Sequence, residues 1–183
     1  MSKIKSIKLN PDNIIAIRKN LDTTIIKYWK IIRAENVIAK KAVAAGLGSS
    51  YDLAALYNEI TQLAQKRIMI KGMLASLNMG GTKFDYDSFK KSNNYAIFAA
   101  CEAKEAIAQL KMIPTLNPAT KAKKGLKNMA KKETFTSAKI ASLINKQQLI
   151  ANKYDAALEK FNSKSTIELP EDISNDFKGL LTA

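Results

Sequence analysis

Residues 10–45 read Asn10-Pro11-Asp12 followed by NIIAIRKNLDTTIIKYWKIIRAENVIAKKAVAA, and the spacing within them decides the fold class. Asn10 is a good N-cap, Pro11 suits the first helical position, and Asp12 complements the helix dipole in the first turn. Ile14, Ile17, Leu21, Ile25, Tyr28, Ile32, Ala39 and Val43 recur at helical spacing on one face, and Ile15, Ile26, Ile31 and Val37 widen it. No Gly or Pro interrupts residues 12–45. The pattern predicts one helix of about 35 residues, about 50 Å long. Gly46-Leu47-Gly48 ends it.

Working outward, Ser49-Ser50 is expected to cap a second helix with its stripe on Leu53, Leu56, Ile60, Leu63, Ile70 and Leu74, stopped by Met79-Gly80-Gly81. Residues 82–92 read as a loop with one helical turn. A third, alanine-rich helix runs from Asn93 or Asn94 to about Met112, with Ala96, Ala99, Ala100, Ala103, Ala106 and Ala108 permitting close packing, and Ile113-Pro114 ends it. Asn117-Pro118 opens a short basic helix to about Lys132. Thr134, Thr136 or Ser137 caps a fifth helix over about 137–162. Its near-heptad seam is Ile140, Ile144, Gln147, Ala151, Tyr154, Leu158 and Phe161, with Leu143, Ile150 and Ala157 beside it. The fold class expected is therefore all-α: a helical bundle of about five helices with a long N-terminal helix and a coiled-coil-like C-terminal helix. The domain reading is a basic extended arm over 1–9, a single helical domain over 10–162, and an acidic tail over 163–183 with a short helix near Pro170.

Composition narrows the chemistry. The 183 residues include one Cys and no His. A disulfide framework, a Ser-His or Cys-His pair and an imidazole or single-chain thiolate metal site are thereby excluded. No metal or cofactor is expected. Nothing resembles a signal peptide or a bilayer span, so a cytoplasmic or other intracellular location is expected, in the host cytoplasm or a particle assembled in the cell.

The formal net charge is +14, carried by 27 lysines and only 3 arginines. Lysine suits backbone phosphate contacts better than bidentate reading of bases. The charge is uneven: residues 1–50 carry net +7, 51–110 net +1, 111–146 net +8 and 147–183 net −2. On the helix expected over 118–132, Lys123, Lys124, Lys127 and Lys131 share one arc with Lys121 and Lys132 at its edge, opposite Ala119, Ala122, Leu126 and Met129. With Lys19, Lys30, Lys40 and Lys41 of the first helix, these are the expected phosphate-contacting residues. Lys139, Lys146, Lys153 and Lys160 recur every seven residues, a column about 30 Å long. They read either as a phosphate-tracking rail or as lysine stems flanking a seam. Together with Tyr28 and Trp29, whose neighbours are Lys27 and Lys30, they are candidates for a partner interface.

Other motifs read blandly. Gly46-Leu47-Gly48-Ser49-Ser50 lacks the Lys of a phosphate loop and reads as two helix caps. Asp85 and Asp87, with Glu102 and Glu105, are the best carboxylates for Mg²⁺, but Lys104 argues that the glutamates lie on an exposed stripe. Cys101 reads as a small packed side chain.

The function expected is that of a non-enzymatic basic protein binding nucleic-acid backbone, DNA or RNA, or working within a nucleoprotein complex. The alternative is a protein-interaction role through the helix seams. It covers an inhibitor of a nucleic-acid-handling partner, a homo-oligomer or a viral structural component. A Mg²⁺-dependent nuclease is the third reading and membrane-surface association the fourth. A phage or mobile-element origin rests on compositional analogy alone.

Overall fold

The structure is a computed structural model that describes residues 7–38, 49, 51–115 and 132–168. Five helices lie among them: α1 (Pro11–Glu35), α2 (Leu53–Asn78), α3 (Tyr86–Lys90), α4 (Asn93–Lys111) and α5 (Ser137–Asn162). The fold is all-α. The β structure among the described residues is one antiparallel pairing, of β1 (Val37–Ile38) with β2 (Lys132–Glu133), with Val37 opposite Glu133 and Ile38 opposite Lys132.

Caps explain most boundaries. Asn10 and Asn13 form a reciprocal capping box at α1, with Pro11 in its first turn. Asp52, not Ser49 or Ser50, caps α2, accepting from the backbone N–H of Ala54 and Ala55 at 3.0 Å. Asp85 caps α3, Ser92 caps α4 and Thr136 caps α5. Gly80 takes the left-handed φ of 79° after α2, a backbone state open to glycine at little cost.

The first helix is shorter than its periodicity predicts. It stops at Glu35 after 25 residues, about 37 Å, because Asn36 is recruited into the core. Asn36 is 1% exposed. Its amide donates to the carbonyls of Pro114 (2.8 Å) and Phe135 (2.9 Å), and its carbonyl oxygen accepts from the N–H of Thr134 (3.2 Å) and Phe135 (2.7 Å). Val37 and Ile38 then pair with β2 instead of continuing the helix. The remainder of the expected helix, residues 39–45, lies outside the described residues.

The long helices form two antiparallel pairs, α1 on α2 and α4 on α5, joined through α2 on α4. Contacts set the direction. Tyr28 reaches Glu59 while Asp22 reaches Arg67, so α1 and α2 run oppositely. One end of the bundle is filled by Ile25, Trp29, Ile32, Leu53, Ile60, Leu110, Ile113, Phe135 and Ile140. Trp29, Tyr57 and Phe135 make successive edge-to-face contacts at 5.9 and 5.8 Å. Ala96, Ala99, Ala100 and Ala103 are buried, as expected for the closely packed central helix.

The other end is plugged by α3. Phe89 packs among Phe84, Tyr86, Tyr95 and Phe98, and its ring lies against Gly72 of α2. A Cβ at Gly72 would collide with that ring. Gly72→Ala is therefore expected to lower stability by about 1–3 kcal/mol despite the better helix propensity of alanine. Urea unfolding measures this, and an unchanged or raised midpoint would show that Phe89 does not seat there.

Candidate nucleic-acid interface

The lysine column of α5 is the best-defined basic surface. Core-facing positions of α5 are the buried Ile140 and Ala151 and the half-buried Leu143, Ile144, Gln147, Tyr154 and Leu158. At 100° per residue, Lys139, Lys146, Lys153 and Lys160 fall on one flank of that face. All four are exposed. Asp155 and Glu159 fall on the opposite flank. Asp155 is already engaged there by the Lys104 ammonium at 2.9 Å. Charge along α5 is thus segregated: none of the four lysines has an ion pair among the described residues.

Two of the four are held from below. The Lys139 ammonium sits 4.7 Å from the Phe135 ring centroid and donates to the Thr134 carbonyl at 3.4 Å. The Lys153 ammonium lies 5.6 Å from the Tyr154 ring centroid. These contacts cost the cations little of their solvent access. The column spans about 31 Å from Lys139 to Lys160. Leu149 and Ile150 lie beside it and are exposed.

On α1, Lys19, Lys27 and Lys30 face away from the buried Ile14, Ile25, Trp29 and Ile32 and are exposed. Lys132 is placed on β2 opposite Ile38, not at the edge of a helix. Lys40, Lys41, Lys121, Lys123, Lys124, Lys127 and Lys131 lie outside the described residues.

Comparison of the chain with known protein families, with curated proteins and with solved structures finds no match. The site must therefore be read from its own residues, and several sequence expectations change. Trp29, a partner-interface candidate at the border of the α1 stripe, is 2% exposed and belongs to the core. Tyr28 is half-buried and spends its hydroxyl donating to Glu59 Oε1 at 3.0 Å, a bond that raises its pKa. Both side chains are thus engaged within the fold rather than offered to a partner. Cys101 is exposed rather than packed, because Ala99, Ala100 and Ala103 point inward on either side of it. Phe161 and Ile150, expected in or beside the α5 seam, are both exposed.

The carboxylates are also spoken for. Asp85 caps α3 and accepts from Ser88 Oγ at 2.7 Å, and the bond to Ser88 holds its carboxyl below the ordinary range. Asp87 pairs with Lys90 at 2.8 Å. Among the described residues, no cluster of three His, Cys, Asp or Glu could hold a metal ion. Glu102 is not on an exposed stripe; it is buried against Arg67. Lys104 is exposed while Glu102 is not, because positions two apart face opposite sides of a helix.

Arg67 is a key residue that the sequence pattern does not single out. It is buried between α1, α2 and α4. Its Nε and Nη2 form a fork on Glu102, Nη1 reaches Asp22 at 3.0 Å and Nη2 reaches Glu105 at 2.8 Å. Lys71 donates to Glu102 at 2.9 Å from the other side. Burial lowers the Arg67 pKa, but the bonds and charges of Glu102, Asp22 and Glu105 outweigh it and hold the guanidinium charged. The remaining arginines are engaged too: Arg18 with Asp22, and Arg33 with Gln109. Rarity was the available signal, since only three of the 30 basic residues are arginine, and Arg67 occupies a site where a planar fork meets several oxygens as lysine could not.

Proposed function

We propose that the protein binds the sugar-phosphate backbone of nucleic acid inside the cell, with little sequence preference and without catalysing a reaction. The observation that carries this reading is the α5 column. Four exposed lysines lie along one flank, with no acidic partner among the described residues, on a chain of net charge +14. Lysine on a rigid helix offers point charges to phosphates but no fork for base edges, so affinity without specificity follows. Lys19 and Lys30 of α1 add to the field. The basic residues of 118–132 extend the proposal by charge alone.

The test is a salt series of fluorescence anisotropy with duplex DNA, single-stranded DNA and RNA of mixed sequence. If all four α5 lysines contact phosphates, the Lys139→Gln, Lys146→Gln, Lys153→Gln, Lys160→Gln quadruple variant should flatten the log–log salt slope on duplex DNA by about 3.6. The four sites are exposed, so the helical circular dichroism should not change. An unchanged slope would remove the column from the interface.

A second reading, a protein partner on the same flank, has one observation in its favour. Leu149 is 71% exposed and Ile150 42% exposed beside the lysines, an apolar pair that a nucleic-acid backbone would not cover. Capture from cell extract with and without nuclease separates the two readings. A nuclease-resistant, stoichiometric protein partner lost on Leu149→Asp would favour the second.

A further inference from the structure

The far end of the bundle from the Trp29 cluster holds a cavity of about 370 Å³, between the start of α1 and the end of α2. Its floor is apolar, made by Ile14, Met73, Leu77 and Phe84. Its rim carries Lys8 and Lys83, and among the described residues no acidic side chain lines it. Neither lysine has an ion pair among the described residues. Ile7 and Leu9 stand at the mouth, Ile7 83% exposed.

The wall opposite the arm is firm. Gly80 turns the chain at φ 79°, and the Gly81 N–H donates to the Ser76 carbonyl at 2.9 Å. A Cβ at Gly81 would sit 2.8 Å from that same oxygen, so the turn is drawn tightly onto α2. The loop carrying Lys83 and Phe84 is thus fixed close to the helix end before any ligand arrives.

We propose that this cavity binds a single-chain anionic amphiphile, with its carboxylate between Lys8 and Lys83 and its hydrocarbon chain on the apolar floor. Both halves of the ligand are needed to match the site. A neutral hydrocarbon leaves two ammonium groups at the mouth without a counter-charge. A bare inorganic anion leaves the floor, Ile7 and Leu9 against water. The volume lies at the small end of ligand sites, about 300–1,000 Å³, which suits one chain and not a two-chain lipid.

The experiment is isothermal titration of the full chain with decanoate, decanol and inorganic phosphate, each below the concentration at which it aggregates. Decanoate is expected to bind at one site per chain. Decanol should bind about tenfold more weakly, through loss of charge-assisted hydrogen bonds. Phosphate should give no saturable heat. Lys83→Gln, an exposed change that leaves the bundle intact, should weaken decanoate about tenfold and leave decanol unchanged. Leu77→Trp should block both by filling the floor, and Met73→Phe serves the same purpose if Leu77→Trp does not fold. The proposal is overturned if decanoate shows no saturable binding, if decanol binds equally well, or if phosphate alone competes as strongly as decanoate.

Discussion

Replacing Arg67 by Met is expected to cost about 3–5 kcal/mol of folding stability, because it strands a buried carboxylate. Glu102 is 7% exposed and takes two of the Arg67 nitrogens; without them only the Lys71 ammonium at 2.9 Å remains. Asp22 and Glu105 are more exposed and can turn to water. The expected loss therefore belongs to Glu102, and a double variant isolates it. Arg67→Met with Glu102→Leu removes both charges and fills the space with hydrocarbon, and should regain most of the loss. Urea unfolding of the two single variants and the double variant supplies the cycle. A loss under about 1 kcal/mol for Arg67→Met alone would mean that water reaches Glu102 and the pair is a surface bridge in effect.

The cluster also shapes what the surface can do. Arg67 ties α1 (Asp22), α2 and α4 (Glu102, Glu105) at one level of the bundle, and does so with balanced charge once Lys71 and Arg18 are counted. At Arg67 a planar fork satisfies several oxygens inside the fold. Among the described residues lysine is mostly left on the outside, where a hydrated point charge is enough; the half-buried Lys71, which donates to Glu102, is an exception. Among the described residues the interior of this +14 chain holds no orphaned polar side-chain atom. Among the described residues, unpaired cations lie on outward faces such as the α5 flank.

Legibility in the sequence followed the range of the interaction. The bounds of α5 were readable because its cap (Thr136), its seam and its end are all local, and the structure places them at Ser137–Asn162. The start of α1 was readable from Asn10-Pro11 for the same reason. The lysine column was readable because seven-residue spacing on a helix sets a flank without reference to any other element. Its pairing state was not, since Lys104, which holds Asp155 on the far flank, comes from 51 residues away. The end of α1 was illegible: residues 33–43 hold no Gly or Pro, and their apolar spacing continues. Burial of Glu102 was illegible because its partner lies 35 residues away on another helix. Trp29 was ambiguous because its lysine neighbours are adjacent in sequence, whereas its packing partners Tyr57 and Phe135 are not.

The residue that ends α1 should be nearly as sensitive as Arg67. Asn36→Ala is expected to lower stability by about 3–5 kcal/mol, since it leaves the Phe135 N–H and carbonyl buried without a partner and weakens the ties to Thr134 and Pro114. The effect is architectural as well as energetic. Asn36 joins the end of α1 to the segment after α4 and to the lead-in of α5, so its loss loosens the β1–β2 pairing and the seat of Phe135. Asn36→Asp separates hydrogen bonding from shape. It keeps the acceptor for Thr134 and Phe135 but turns the donor for the Pro114 and Phe135 carbonyls into a carboxylate facing two oxygens. A carboxyl so placed has its folded-state pKa raised above the unfolded value of about 3.9. Between the two pKa values the unfolded chain holds fewer protons than the folded one, so stability falls as pH rises through that window and stays low above it. The Asn36→Asp variant is therefore expected to melt closer to the parent protein at pH 3.5 than at pH 7, whereas Asn36→Ala should keep the same deficit at both. Thermal unfolding at the two pH values decides it: a pH-independent deficit for Asn36→Asp would mean that the amide nitrogen of Asn36 makes no necessary bond, and that the end of α1 is held by the β1–β2 pairing alone.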